Sequence, residues 1–142
     1  MKDAPPIAEL LRDLDAHELQ MVQCADVVRA TKAELVAIQG EIDVAQSAMA
    51  RASCDREMLH HLDRVRTAMA RRIELEPTIE QIKKNTPQMV QRFIELLTAV
   101  ITRQDGALSL EHCARLFRKW NNKTLPPDEA ARLEKLLSRD QN

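Results

Sequence analysis

Apolar residues recur every seven positions along the first third of the chain: Ile7, Leu14, Met21, Val28, Leu35, Ile42 and Met49. Three places after each rung stand Leu10, His17, Cys24, Thr31, Ile38, Ala45 and Ala52, a weaker companion row. An apolar repeat averaging 3.5 residues keeps one seam of a helix turned toward a partner helix, so the pattern predicts a coiled coil. No proline or turn cluster interrupts residues 7–76, and Gly40 alone costs about 1 kcal/mol relative to Ala without ending a helix. A continuous helix of about 70 residues would measure roughly 105 Å. It needs a partner, or must fold back on itself.

The seam has one fault. Beyond Ala52 the strict count reaches Arg56 and Asp63, while the apolar residues fall at Leu59, Leu62, Val65, Met69 and Ile73. The stripe continues but slips by one residue, as a stammer or short interruption produces. Residues 53–56, beginning Ser53-Cys54-Asp55, are therefore the place for a kink or hairpin. Without Gly or Pro to form a turn, continuity is the expectation.

Pro77 is expected to close this first element. Ile79 and Ile82 then mark a short helix over 78–84, and Thr86-Pro87 reads as N-cap and first helical position of the next. Met89, Val90, Phe93, Ile94, Leu96, Leu97, Val100 and Ile101 crowd that helix with apolar side chains, which places it at the centre of a small core. Asp105-Gly106 reads as a turn, and Ser109 as the cap of a helix bearing Leu110, Cys113, Leu116, Phe117 and Trp120. Asn121-Asn122 stops that helix, and Pro126-Pro127-Asp128 opens a last one with Ala130, Leu133, Leu136 and Leu137. The prediction is an all-α protein: a coiled-coil helix over 1–76, then a helical mini-domain of three to four short helices over 77–142.

Composition agrees. Two Gly, no Tyr, two Phe and one Trp leave little for β-rich cores. The net charge of −1 conceals a gradient, because residues 1–50 carry four basic and nine acidic side chains while 51–74 carry six and four. There is no polybasic arm of the kind a general nucleic-acid binder uses. Cys24, Cys54 and Cys113 are odd in number, far apart and without a C-x-x-C, which reads as reduced thiols rather than a disulfide framework. The N-terminus lacks an apolar signal core, and the stretch around Leu96–Ile101 is far too short to span a bilayer. A soluble protein of the reducing cytoplasm, with the nucleus as the other compartment open to it, is the expectation.

Phe93–Phe117 invites one comparison. Gly106 stands where a calcium loop turns sharply, with Asp105 before it and Leu108 and Ser109 after, flanked by Phe93, Leu97, Val100, Cys113, Leu116 and Phe117. These 25 residues resemble a degenerate EF-hand. Ile101 and Arg103 replace its first carboxylate ligands, His112 replaces its bidentate Glu, and Glu111 is one place away from that position. Calcium needs several oxygen ligands, so the resemblance implies the shape without the ion. An ordinary helical hairpin with a Gly turn and a Ser cap accounts for the same residues.

Other constellations reduce to packing or surface. Adjacent His60 and His61 point about 100° apart on a helix, and Cys54 does not complete a tetrahedral metal set. His112-Cys113 diverges in the same way. No nucleophile, base and orienting group are spaced to converge, so neither enzyme activity, cofactor nor metal is expected. Arg115, Arg118, Lys119, Trp120 and Lys123 form a candidate docking patch, and four positive groups around an indole suit phosphates and a stacked base. Phe117 and Trp120 also continue an apolar stripe, and cations at a helix C-terminus favour its dipole. Arg64, Arg66, Arg71 and Arg72 form a second basic group.

The flanks of the first seam bear on partner choice. In a parallel in-register homodimer, Asp13–Glu18, Gln20–Ala25, Val27–Lys32, Glu34–Gln39 and Glu41–Gln46 would meet, and none is an opposite-charge pair. A heteromeric partner is favoured, or an antiparallel arrangement setting the acidic first half against 51–74. The expected role is a non-catalytic coiled-coil subunit, scaffold or adaptor, binding protein partners through Ile7, Leu10, Leu14, Met21, Val28, Leu35, Ile38, Ile42, Met49 and Leu59. The alternative is a small nucleic-acid-associated regulator dimerised by the coiled coil and contacting phosphates through Arg115–Lys123.

Overall fold

The computed structural model describes residues 6–103, 107–121 and 124–139. The protein is all-α: α1 (Ile7–Ala50), α2 (Asp55–Thr102), α3 (Ala107–Asn121) and α4 (Pro127–Arg139), with no strand among the described residues. Two compact units divide the chain, one made of residues 1–22 and 86–142, the other of residues 23–85. Both long helices therefore contribute to both units. The expected boundary at 76/77 falls inside α2 instead.

The single 70-residue helix is not formed. α1 ends at Ala50 and α2 begins at Asp55, so residues 51–54 make a turn. Its bonds explain how a turn arises without Gly or Pro. Arg51 and Ala52 donate their N–H groups to the carbonyls of Ala48 and Met49, tightening the last turn of α1. The N–H and hydroxyl of Ser53 donate to the Glu57 carboxylate at 3.1 and 3.3 Å, while Cys54 accepts the first helical bond, from Met58. Asp55 and Glu57 supply the negative charge a helix N-terminus favours. No described residue has positive φ, so nothing in the turn requires glycine.

In the unit of residues 23–85, the turn folds α1 back against α2 as an antiparallel hairpin. Ile38, Ile42 and Ala45 of α1 bury against Val65 and Ala68 of α2, with Met49 and Leu75 at the margin. Small residues at Ala45 and Ala68 let the helices approach closely. Arg71 donates to Glu34 at 2.9 Å and Arg72 to Gln39 at 3.1 Å, which sets the register across the hairpin.

The other unit has the larger core. Leu10, Leu14 and Met21 of α1 meet Val90–Ile101 of α2, Cys113, Leu116 and Phe117 of α3, and Leu133 and Leu137 of α4. Phe93, Leu97 and Val100 are completely buried, as expected for the most apolar stretch. α3 begins at Ala107, so Ser109 lies in its first turn rather than capping it. Its end at Asn121 and the start of α4 at Pro127 agree with the sequence signals. The Pro126 carbonyl accepts from Ala130 at 2.9 Å, and Pro127 occupies the first helical position, where its missing N–H costs nothing.

Pro77 and Pro87 do not end a helix, contrary to the reading of separate elements before and after them. Both lie inside α2, so the expected helix of 78–84 and the Thr86-Pro87 cap merge into one 48-residue element. Proline cannot donate to the carbonyl four residues back, here those of Ile73 and Lys83. All four of these residues are exposed, so water can satisfy those carbonyls. Buried Ile79 and Val90 anchor the helix on either side, and tertiary packing outweighs local propensity.

Two stability outcomes follow. A Cβ at Gly40 meets nothing within 4 Å; Gly40→Ala is expected to stabilise by about 1 kcal/mol, read as a higher urea midpoint. Pro77→Ala should stabilise by roughly 1–2 kcal/mol by the same measure, less than the full helix-interior penalty because proline also restricts the unfolded chain. An unchanged or lower midpoint would mean that Pro77 does not sit in a helix interior.

Candidate functional site

The predicted seam is covered by the chain itself. Leu10, Leu14 and Met21 are buried in the larger core, and Ile38 and Ile42 in the hairpin. Ile7, Val28, Leu35 and Met49 are half-buried. Leu59 is the exception: it is 63% exposed and does not belong to this seam. The turn at 51–54 restarts the helical phase. Val65, Ala68 and Ile79 are consequently buried, while Leu59, Met69 and Ile73 are released.

What read as one slipping stripe is therefore two faces of α2. Taking 100° per residue, Met58, Leu59, Leu62, Met69 and Ile73 centre about 110° around the helix from the face that meets α1. Met58 and Met69 are 43% and 41% exposed, and Ile73 is 68% exposed. Leu62 is half-buried. Val36 of α1, 73% exposed, lies toward the same side of the hairpin. The sequence contains the signal for this second face, a 59-62-66-69-73 spacing with Arg66 at its middle, hidden by its overlap with the first.

The opposite side of the hairpin differs. There a groove of about 530 Å³ runs over Ala37, Ile38 and Ala68 between Glu34 and Glu41 on one wall and Arg64 and Arg71 on the other. Its charges compensate one another. Hydrogen bonds to Glu34 and Glu74 hold the Arg71 guanidinium still further above its ordinary range. This places the acidic half of α1 against the basic 51–74 segment within one chain.

The basic patch of α3 is engaged locally. Lys119 pairs with Glu18 of α1, whose carboxylate also accepts from the Trp120 indole at 3.4 Å. Trp120 meets Phe93 edge-on at 6.3 Å between centroids, and the Lys119 ammonium lies 5.6 Å from the Trp120 ring centre. Arg115 and Arg118 are exposed. Lys123 lies outside the described residues. Glu18 thus neutralises one of the cations, and the half-buried indole has its polar edge and a neighbouring ring already occupied.

The histidines act as contacts between helices or within them. His17 bonds the Met89 carbonyl at 2.7 Å, His112 pairs with Asp15, and Arg64 bonds His61 at 3.2 Å. His60 and His61 have ring centroids 5.3 Å apart and tilted planes. No group of three His, Cys, Asp or Glu side chains is placed to hold a metal among the described residues. The turn of the EF-hand resemblance, Asp105-Gly106, lies outside the described residues, while its flanking Phe93, Leu97, Val100, Cys113, Leu116 and Phe117 share one core. No described helix is long and apolar enough to cross a membrane.

No family model, curated protein or solved structure matches the chain.

The cysteines give a chemical check on this geometry. Burial, with a smaller contribution from Asp15, pushes the Cys113 thiol up to about 11, whereas Cys54 is exposed in the turn. The folded state therefore holds its proton more tightly than the unfolded state does. Its contribution is fully present below pH 9 and is lost as pH rises from about 9 through 11. The stability difference between wild type and Cys113→Ala should shrink by roughly 2–3 kcal/mol across that window. At pH 8 a thiol reagent should label native Cys54 rapidly and Cys113 only on unfolding; rapid labelling of Cys113 would contradict its burial.

Proposed function

We propose that this protein is a non-catalytic helical interaction subunit, a scaffold or adaptor that joins protein partners through exposed helix faces. The observation that carries the reading is the Met58–Ile73 stripe of α2. Large apolar side chains stand exposed along about four turns of one helix, while the heptad seam is occupied by the chain's own helices. Contiguous exposed apolar surface of this kind marks interaction sites on soluble proteins. An amphipathic helix face read at 3–4 residue spacing is a recurrent way for helices to recognise one another.

The ionisable groups support the same reading. His17, His61, His112 and Glu18 spend their polar atoms on bonds that fix helices, and the hairpin's charged groove contains a cation paired to two carboxylates. The nucleic-acid alternative draws less support, because Glu18 holds both Lys119 and the Trp120 indole. A cytoplasmic setting suits the exposed Cys54 thiol.

Leu59→Asp/Ile73→Asp tests this role. Both positions are exposed, so the chain should keep its helicity and melting temperature while losing its native partners in crosslinking of intact cells. A folded double variant that fully replaces the wild-type chain in its host would defeat the reading.

A further inference from the structure

We infer that the apolar side of the hairpin is occupied by a second copy of this chain, giving an antiparallel four-helix bundle of two hairpins. This rests on the reading of the Met58–Ile73 stripe as an interaction surface, and names its occupant. Two helices alone bury little: the hydrophobic cluster between them in the 23–85 unit has five buried members. The exposed side chains of Met58, Leu59, Met69, Ile73 and Val36 provide roughly half of the about 800 Å² per partner that a stable interface takes.

Charge register argues for a second copy. Within the hairpin, Glu34 stands level with Arg71, and pairs of residues whose numbers sum to about 105 share a level along the antiparallel helices. A twofold axis parallel to the helices preserves these levels and sets each α1 against α2 of the other copy. Leu35 and Val36 then come level with Met69 of the second copy. Lys32 comes within about 5 Å along the axis of Glu76, which follows Met69 and Ile73 on the same side of α2. Gln39 and Asp43 bracket Arg66, so the cation at the middle of the apolar stripe meets an amide and a carboxylate. Packing α2 on α2 instead would bring Arg66 against its own copy, a like-charge contact. The acidic-to-basic difference between the two helices thus serves twice, once inside the hairpin and once across the dyad.

The opposite side does not compete. Its groove has a floor of Ala37, Ile38 and Ala68 and a rim on which Glu34 and Arg71 compensate each other. Val44, 60% exposed, lies on that side, seven residues after Ala37 and without a stripe of large apolar neighbours, and supplies a control position.

Sedimentation equilibrium of the full chain from about 1 µM to 1 mM should show a monomer–dimer equilibrium. Ile73→Glu should weaken dimerisation at least about tenfold, and Val44→Glu should leave it unchanged. Lys32→Glu removes no buried side chain and should also weaken it. Mixing Lys32→Glu with a Glu76→Lys chain should restore a mixed dimer. A monomer throughout this range overturns the inference, as does a dimer insensitive to Ile73→Glu, or uptake of another protein's helix by a monomeric chain. A monomer whose Leu59→Asp/Ile73→Asp variant still loses its role in cells would overturn only this inference and leave the interaction-subunit reading standing.

Discussion

Burial of the α1 heptad face against helices of the same chain is the interaction on which the rest depends. Its seven-residue ladder would force a free helix to find a partner. Here, two separate cores absorb it. Leu10, Leu14 and Met21 enter a core with the apolar end of α2, α3 and α4, while Ile38, Ile42 and Ala45 meet Val65 and Ala68. The polar and small members of the seam fit this arrangement. His17 bonds the Met89 carbonyl, Thr31 is buried, and Ala45 permits close approach. A seam softened in this way is well suited to an intramolecular match, where the partner helix arrives at high effective concentration.

That burial has a consequence on the far side of α2. A helix carrying two apolar faces can turn only one of them toward α1. Val65, Ala68 and Ile79 take the covered side, and Leu59, Met69 and Ile73 are left at the surface. The candidate site is thus a by-product of helical phase: the same turn that closes the hairpin uncovers the stripe. Charges follow the same logic. Glu18 holds Lys119 and Trp120, and Glu34 holds Arg71, so the exposed ion pairs fix register more than they add stability.

Much of the fold was legible in the residues. Low aromatic and glycine content excluded sheet, the apolar run from Met89 to Ile101 marked the centre of the core, and Pro126-Pro127-Asp128 marked the last helix. The candidate site was only half legible. By spacing, Leu59, Leu62, Met69 and Ile73 continue the first seam, because spacing reveals a face without revealing what covers it. Breaks were the weakest part. Pro77 and Pro87 read as stops, yet α2 passes through both; Ser53–Glu57 held the real start signal, in residues without Gly or Pro.

The sequence by itself determined that this chain is helical, where its apolar positions lie, and that its first fifty residues need a partner along one face. Those properties are local, set by side-chain periodicity and backbone propensity. The tertiary structure alone decided that the partner is in the same chain, that two interior prolines are tolerated, and that one face of α2 stays exposed. These are comparisons between competing burials. Each proline costs about 3 kcal/mol in a helix interior, a penalty that the packing of Ile79, Val90 and their neighbours outweighs, and no local pattern records that difference.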